Sequence, residues 1–217
     1  MNIYHEYNKY NKLLIILFIC FPIYMQKLYS DKINTLISDT EIILTIKGTN
    51  RQQILNTAFN KYPSEILING NKTDIIDYYV YNLTLEENNI TVRFNTTLTS
   101  CFKMFSGLLN ITKITFNMLD FSGTIMTYMF SGCKNLISLD FNNFNTAYAK
   151  DMTSMFEGCK NLVSLDLSNF NTSSLSNVES MFCGCSNLIS LDLSHFIISS
   201  YIGMNSMFSA EWIKKCP

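Results

Sequence analysis

Residues 129–154 read MFSGCKNLISLDFNNFNTAYAKDMTS, residues 155–180 read MFEGCKNLVSLDLSNFNTSSLSNVES, and residues 181–206 read MFCGCSNLISLDLSHFIISSYIGMNS. These are three copies of one unit. The Met-Phe pair that opens each copy also occurs at Met104-Phe105 and Met207-Phe208, so the steps along the chain are 25, 26, 26 and 26 residues. A constant period in this range marks a stack of equivalent coils, each burying its apolar face against its neighbours.

Two patterns lie inside each copy. Leu162-x-x-Leu165-x-Leu167 follows L-x-x-L-x-L, as do Leu136, Leu139, Phe141 and Leu188, Leu191, Leu193. The last two apolar positions alternate, which predicts strands centred on Leu139–Phe141, Leu165–Leu167 and Leu191–Leu193 in one parallel sheet. Met126, Met129, Phe130 and Cys133 then fall at i, i+3, i+4 and i+7, and Met152, Met155, Phe156, Cys159 and Val178, Met181, Phe182, Cys185 repeat the spacing. That is the apolar stripe of a short helix, with Gly132, Gly158 and Gly184 near its end. The predicted fold class is α/β: a leucine-rich-repeat solenoid with one parallel strand and one short helix per coil, preceded by a β-rich N-terminal cap.

The block M-F-x-G-C-x-N-L-x-x-L-D-L-S-x-F resembles the BspA-like leucine-rich repeats of surface proteins, the DUF285 repeat. The resemblance covers about residues 101–210. The first coil departs from it, with Thr115 where the others have Asp, and the last has Glu211 in place of Cys. The resemblance implies extracellular display and binding to host or matrix molecules, and it brings no catalytic residues. Phe144, Phe170 and Phe196 stand where ordinary leucine-rich repeats carry Asn or Cys, and are read as a phenylalanine spine in the core. Asn135, Asn161 and Asn187 are read as a ladder bonding turn backbone.

Working outward, residues 31–100 change character. Strand-like pieces are Glu41–Lys47, Glu65–Asn69, Tyr78–Leu83 and Asn89–Phe94, with turns expected at Gly48, Asn69-Gly70 and Glu87-Asn88-Asn89. This stretch is expected to cap the open edge of the first coil. Residues 1–30 read as a signal peptide or signal anchor. Lys9 and Lys12 precede the apolar stretch Leu13–Tyr24, which is short against the roughly 20 residues of a membrane span. Residues 211–217 form a tail: either Trp212 and Ile213 fold over the last coil, or the chain is a shortened relative of a longer array.

Composition narrows the function. Apolar residues make up 47% and charged residues 15%, with a net charge of -1 and no charged block. That excludes the basic footprint of a nucleic-acid binder and leaves a surface polar mainly through Asn, Ser and Thr. The chain has two histidines, His5 in the leader and an isolated His195, and lacks the G-x-S-x-G, phosphate-loop and H-E-x-x-H motifs. No catalysis, cofactor or metal site is expected. The column Cys133, Cys159, Cys185 sits on the buried stripe and reads as core. Cys183 and Cys185 would diverge by about 200° on a helix.

The candidate binding face consists of the strand residues that point away from the core: Ser138, Asp140 and Asn142, then Ser164, Asp166 and Ser168, then Ser190, Asp192 and Ser194. Thr112, Lys113, Thr115 and Asn117 extend it over the first coil. It offers hydroxyls and carboxylates to an extracellular protein or glycan. The sequons Asn71, Asn82, Asn89, Asn95, Asn110 and Asn171 are candidate glycosylation sites on a secretory route. The function expected is adhesion or binding at the cell surface or in secreted form, with a structural or antigenic display array as the alternative.

Overall fold

The computed structural model describes residues 40–74, 77–118, 125–141, 144, 146–197 and 202–208. The leader, the tail, Asn142 and Cys216 lie outside the described residues.

The N-terminal part is a β-layer. Its strands are β1 (Thr40–Lys47), β2 (Asn50–Gln53), β3 (Glu65–Ile68), β4 (Asn71–Thr73), β5 (Tyr79–Leu83) and β6 (Glu87–Phe94). Two more strands come from the repeats, β7 (Ile111–Met118) and β8 (Ser138–Asp140). Six of them make one sheet in the order β4-β3-β6-β1-β7-β8, while β2 and β5 pair separately. Strict alternation in β1 buries Thr40, Ile42, Leu44 and Ile46 on one face. The antiparallel register places Ile42 beside Val92 and Phe116, and Leu44 beside Ile90 and Ile114. One apolar layer therefore runs from the β-layer into the first coil. Asn69 and Gly70, both at positive φ, form the two-residue loop of the β3–β4 hairpin, the backbone that an Asn-Gly pair favours.

The outer face of this sheet is tied by charge. Arg93 bonds Glu41 at 2.8 Å and also pairs with Glu65, and Lys72 reaches Glu65 at 3.1 Å. Burial pushes the Glu41 carboxyl up, but hydrogen bonds from Asn117 and Arg93 outweigh it and hold the group below its usual range.

The repeats stack in parallel. Ser100, Ile125, Asp151, Asn177 and Gly203 occupy equivalent places, each bridged to the next. The Met-Phe phenylalanines form a column: Phe105–Phe130, Phe130–Phe156, Phe156–Phe182 and Phe182–Phe208 stack at 5.7, 5.5, 5.5 and 5.5 Å. Phe116 stacks on Phe141, and Phe144 on Phe170.

The expected α/β solenoid with a helix per coil is overturned. Among the described residues the architecture is β-strand and turn; the sole helical turn is the 3-10 turn Thr57–Phe59, and the coils do not close into that solenoid. The apolar stripe is buried as expected, with Met126, Met129, Phe130 and Cys133 all at 0% exposure. Tight turns, not a helix, carry it. Met129 N–H donates to Met126 O, Ser131 to Tyr128 O and Cys133 to Phe130 O, all within one coil. The alternate amides leave it: Met126, Tyr128, Phe130 and Gly132 donate to Asp151, Thr153, Met155 and Glu157 of the next coil. An α-helix would keep every amide for the carbonyl four residues back. Positive φ at Tyr128 (59°) and Gly132 (76°) breaks any helical path, and Ser154 with Gly158 and Ser180 with Gly184 repeat the pair.

The parallel sheet is shorter than expected too. β8 pairs with β7 over three residues, whereas the segments around Leu165 and Leu191 meet through the single bridge Ser164–Ser190.

Candidate functional site

After its turn ladder, each of the three full coils presents N-L-x-S-L-D. Leu136, Leu162 and Leu188 point inward, while Asp166, Ser164, Ser168 and their equivalents Asp192, Ser190 and Ser194 are exposed. Ser138 and Asp140 are half-buried, because β8 lies against β7 with Ser138 beside Lys113 and Asp140 beside Thr115. The coil step thus brings the Ser and Asp columns together. The first coil extends this face only in part. Lys113 is exposed, but Thr112 is buried and donates its hydroxyl to Thr45 O, and Asn117 donates to the Glu41 carboxylate.

The aspartates are oriented by their own backbone. Ser168 N–H donates to Asp166 Oδ1 at 2.9 Å and Ser194 N–H to Asp192 Oδ1 at 2.8 Å. These are Asx turns, in which a short side chain satisfies an amide two residues on. The Ser168 hydroxyl and amide hold the Asp166 carboxyl below the usual carboxylate range; the Ser194 amide and hydroxyl do the same for Asp192. Both stay ionised through neutral pH with one oxygen committed to the turn. Asp151, Asn171 and Asn177 make the same turn elsewhere in the coils.

Beside the acid columns runs a feature that L-x-x-L-x-L conceals. Ile137, Val163 and Ile189 are 51%, 42% and 80% exposed and occupy one position in successive coils. Ile137 N–H bonds Thr112 O and Ile189 N–H bonds Val163 O, so this position pairs along the stack between the first and second coils and again between Val163 and Ile189. The recurrence of a β-branched aliphatic next to an inward Leu was the signal available in the sequence.

The interior groups are quiet. Cys133, Cys159 and Cys185 are buried free thiols that donate to Phe105 O, Phe130 O and Phe156 O of the preceding coils. Burial pushes Cys133 and Cys185 up to about 12, and Cys159 rises in the same direction. Among the described residues, no group of three or more His, Cys, Asp or Glu side chains is placed to hold a metal ion. His195 Nε2 lies 2.7 Å from Leu167 O. Asn135 Nδ2 bonds Leu109 O across coils, while Asn161 makes its cross-coil bond to Lys134 O through its backbone amide. Of the sequons, Asn71, Asn82, Asn89, Asn95 and Asn171 are exposed; Asn110 is half-buried and its amide nitrogen donates to Gln53 O.

Residues 94–215 match the family described as Mycoplasma protein of unknown function, DUF285. That is more than half of the chain, and the chain belongs to this family. No curated protein and no solved structure matches it.

Proposed function

We propose that this chain is a non-catalytic binding module of the BspA-like kind, displayed at the cell surface or secreted. Its binding face carries Asp140, Asp166 and Asp192 and takes a polar extracellular partner, protein or glycan. One observation carries the reading: three successive coils repeat the same Ser-x-Asp group, exposed at Ser164, Asp166, Ser190 and Asp192 and half-buried at Ser138 and Asp140, while the stacked phenylalanines and the thiols of Cys133, Cys159 and Cys185 are packed inside. Aromatic anchors, which dominate tight interfaces, are missing from the Ser and Asp columns, so each contact is weak and many copies on a surface supply avidity. The signal-like stretch Leu13–Tyr24 supports export, and the exposed sequons fit a secretory route. The display-array alternative draws on the Asx turns, which give the aspartates a structural use.

The triple variant D140N/D166N/D192N separates the two. Asn keeps the oxygen that accepts the Ser168 and Ser194 amides, so the turns survive and only charge is lost. Stability should stay within about 0.5 kcal/mol of the parent, as for most surface changes. Binding on glycan and extracellular-protein arrays should fall about tenfold or more, as when several weak contacts are removed together. A well-folded variant that binds as the parent does overturns the reading.

A further inference from the structure

The reading above leaves the partner's identity open, and the aliphatic stripe narrows it. Three exposed β-branched side chains in line are an unusual use of surface in a stack whose other apolar repeats face inward. The stripe ends at the first coil, where the equivalent Thr112 is polar, buried and bonded to β1. Its flanks differ in chemistry. Three residues before each aliphatic side chain stands a donor: Lys134, Lys160 and Ser186, all exposed. Three residues after it stands an acid: Asp140, Asp166 and Asp192. Along the chain, each of the three full coils therefore reads donor, aliphatic, acid.

We propose that this face binds a second copy of the same chain, the two stacks lying side by side in register about a two-fold axis parallel to the stacking direction. The proposal rests on the reading that the Asp face is the binding face. A rotation about that axis exchanges the flanks and keeps each coil opposite its equivalent. The stripe then meets the stripe, Lys160 meets Asp166 of the second copy, and Lys134 and Ser186 meet its Asp140 and Asp192 on either side. A two-fold axis lying across the stack would set carboxylate against carboxylate. The interface is isologous, so each pairing is made twice. A net charge of only -1 leaves little long-range repulsion between copies. An aliphatic stripe between ionic flanks is also the build of a protein interface, a desolvated apolar centre with a polar rim.

The test is the mass of the purified full chain in solution, by light scattering across a concentration series in mild detergent, for the parent and three surface variants. The parent should dimerise. V163D/I189D should weaken dimerisation on the order of 100-fold, since it places charge in the apolar centre. K134E/K160E should weaken it by like-charge opposition, and adding D140N/D166N to that variant should recover part of the loss. Circular dichroism confirms the fold of each, and the lysine variant alters only exposed residues. A parent that stays monomeric at high micromolar concentration overturns the proposal, as does a dimer indifferent to V163D/I189D and K134E/K160E. A monomeric parent whose binding to another protein or glycan is lost in D140N/D166N/D192N overturns the second copy as partner and leaves the binding-face reading standing.

Discussion

Glycine shows what a repeated residue is for. Gly107, Gly132, Gly158 and Gly184 all have φ between 69 and 76°. Each of the last three sits against the glycine of the coil before. A Cβ on Gly184 would meet the Gly158 backbone at 3.4 Å, whereas one on Gly107 would meet nothing within 4 Å. Gly107→Ala therefore carries the conformational cost alone, about 1–2 kcal/mol for a left-handed residue. Gly184→Ala adds the close approach and should cost more. Denaturant melts of the two variants check this; equal losses would show that coil spacing is set elsewhere. The glycine column was legible as a repeat feature, but its role was not. A glycine near the end of an apolar stripe reads as a helix C-cap, and the left-handed Tyr128, Ser154 and Ser180 leave no signature, since those residues adopt that backbone only under tertiary constraint.

Two elements make the same lesson sharper. Positions i, i+3, i+4 and i+7 face one way on a helix, and they also face one way on two successive tight turns. The buried set is therefore identical, and Met126, Met129, Phe130 and Cys133 were correctly placed inside. What periodicity does not encode is the destination of the amides, which here alternate between the same coil and the next. In the N-terminal layer the sequence is read more directly: strict two-residue alternation and an Asn-Gly pair brought Glu41–Lys47 within a residue of β1 and located the β3–β4 turn. The short edges β2 and β4, polar and only four and three residues long, carry no such pattern. The candidate face was legible through its Ser and Asp columns, and its aliphatic stripe was hidden by a motif that treats that position as free. The turn ladder makes a chemical prediction. Cys101, Cys133, Cys159 and Cys185 are buried while Cys183 is half-exposed. Of these five, Cys183 should be alkylated first in the native protein, and the other four should react only on unfolding, because the thiolate is the nucleophile and burial suppresses it. Mass spectrometry after brief iodoacetamide treatment reads the order. Early labelling of Cys159 would show that the coils open locally.

Across the whole molecule, stability is organised by neighbours. The Phe column ties coil to coil, and the sheet ties the first coil to the N-terminal layer through β1 and β7. Phe156 is the middle ring, stacked at 5.5 Å on both Phe130 and Phe182. Phe156→Ala should therefore cost about 3–5 kcal/mol, the range for a buried aromatic truncated in a packed core. In a stack where each unit is held by the next, that loss should be felt first by adjacent coils. The amides of Phe130, bonded to Met155 O, and Phe182, bonded to Met207 O, should exchange faster. Those of β6, paired between β1 and β3 at the far side of the layer, should be protected until global unfolding. Hydrogen exchange on the parent and the variant distinguishes this from a uniformly cooperative unit, in which both sets would accelerate together. Acceleration confined to β6 would mean that the stack is held from the N-terminal layer, with the phenylalanine column merely following.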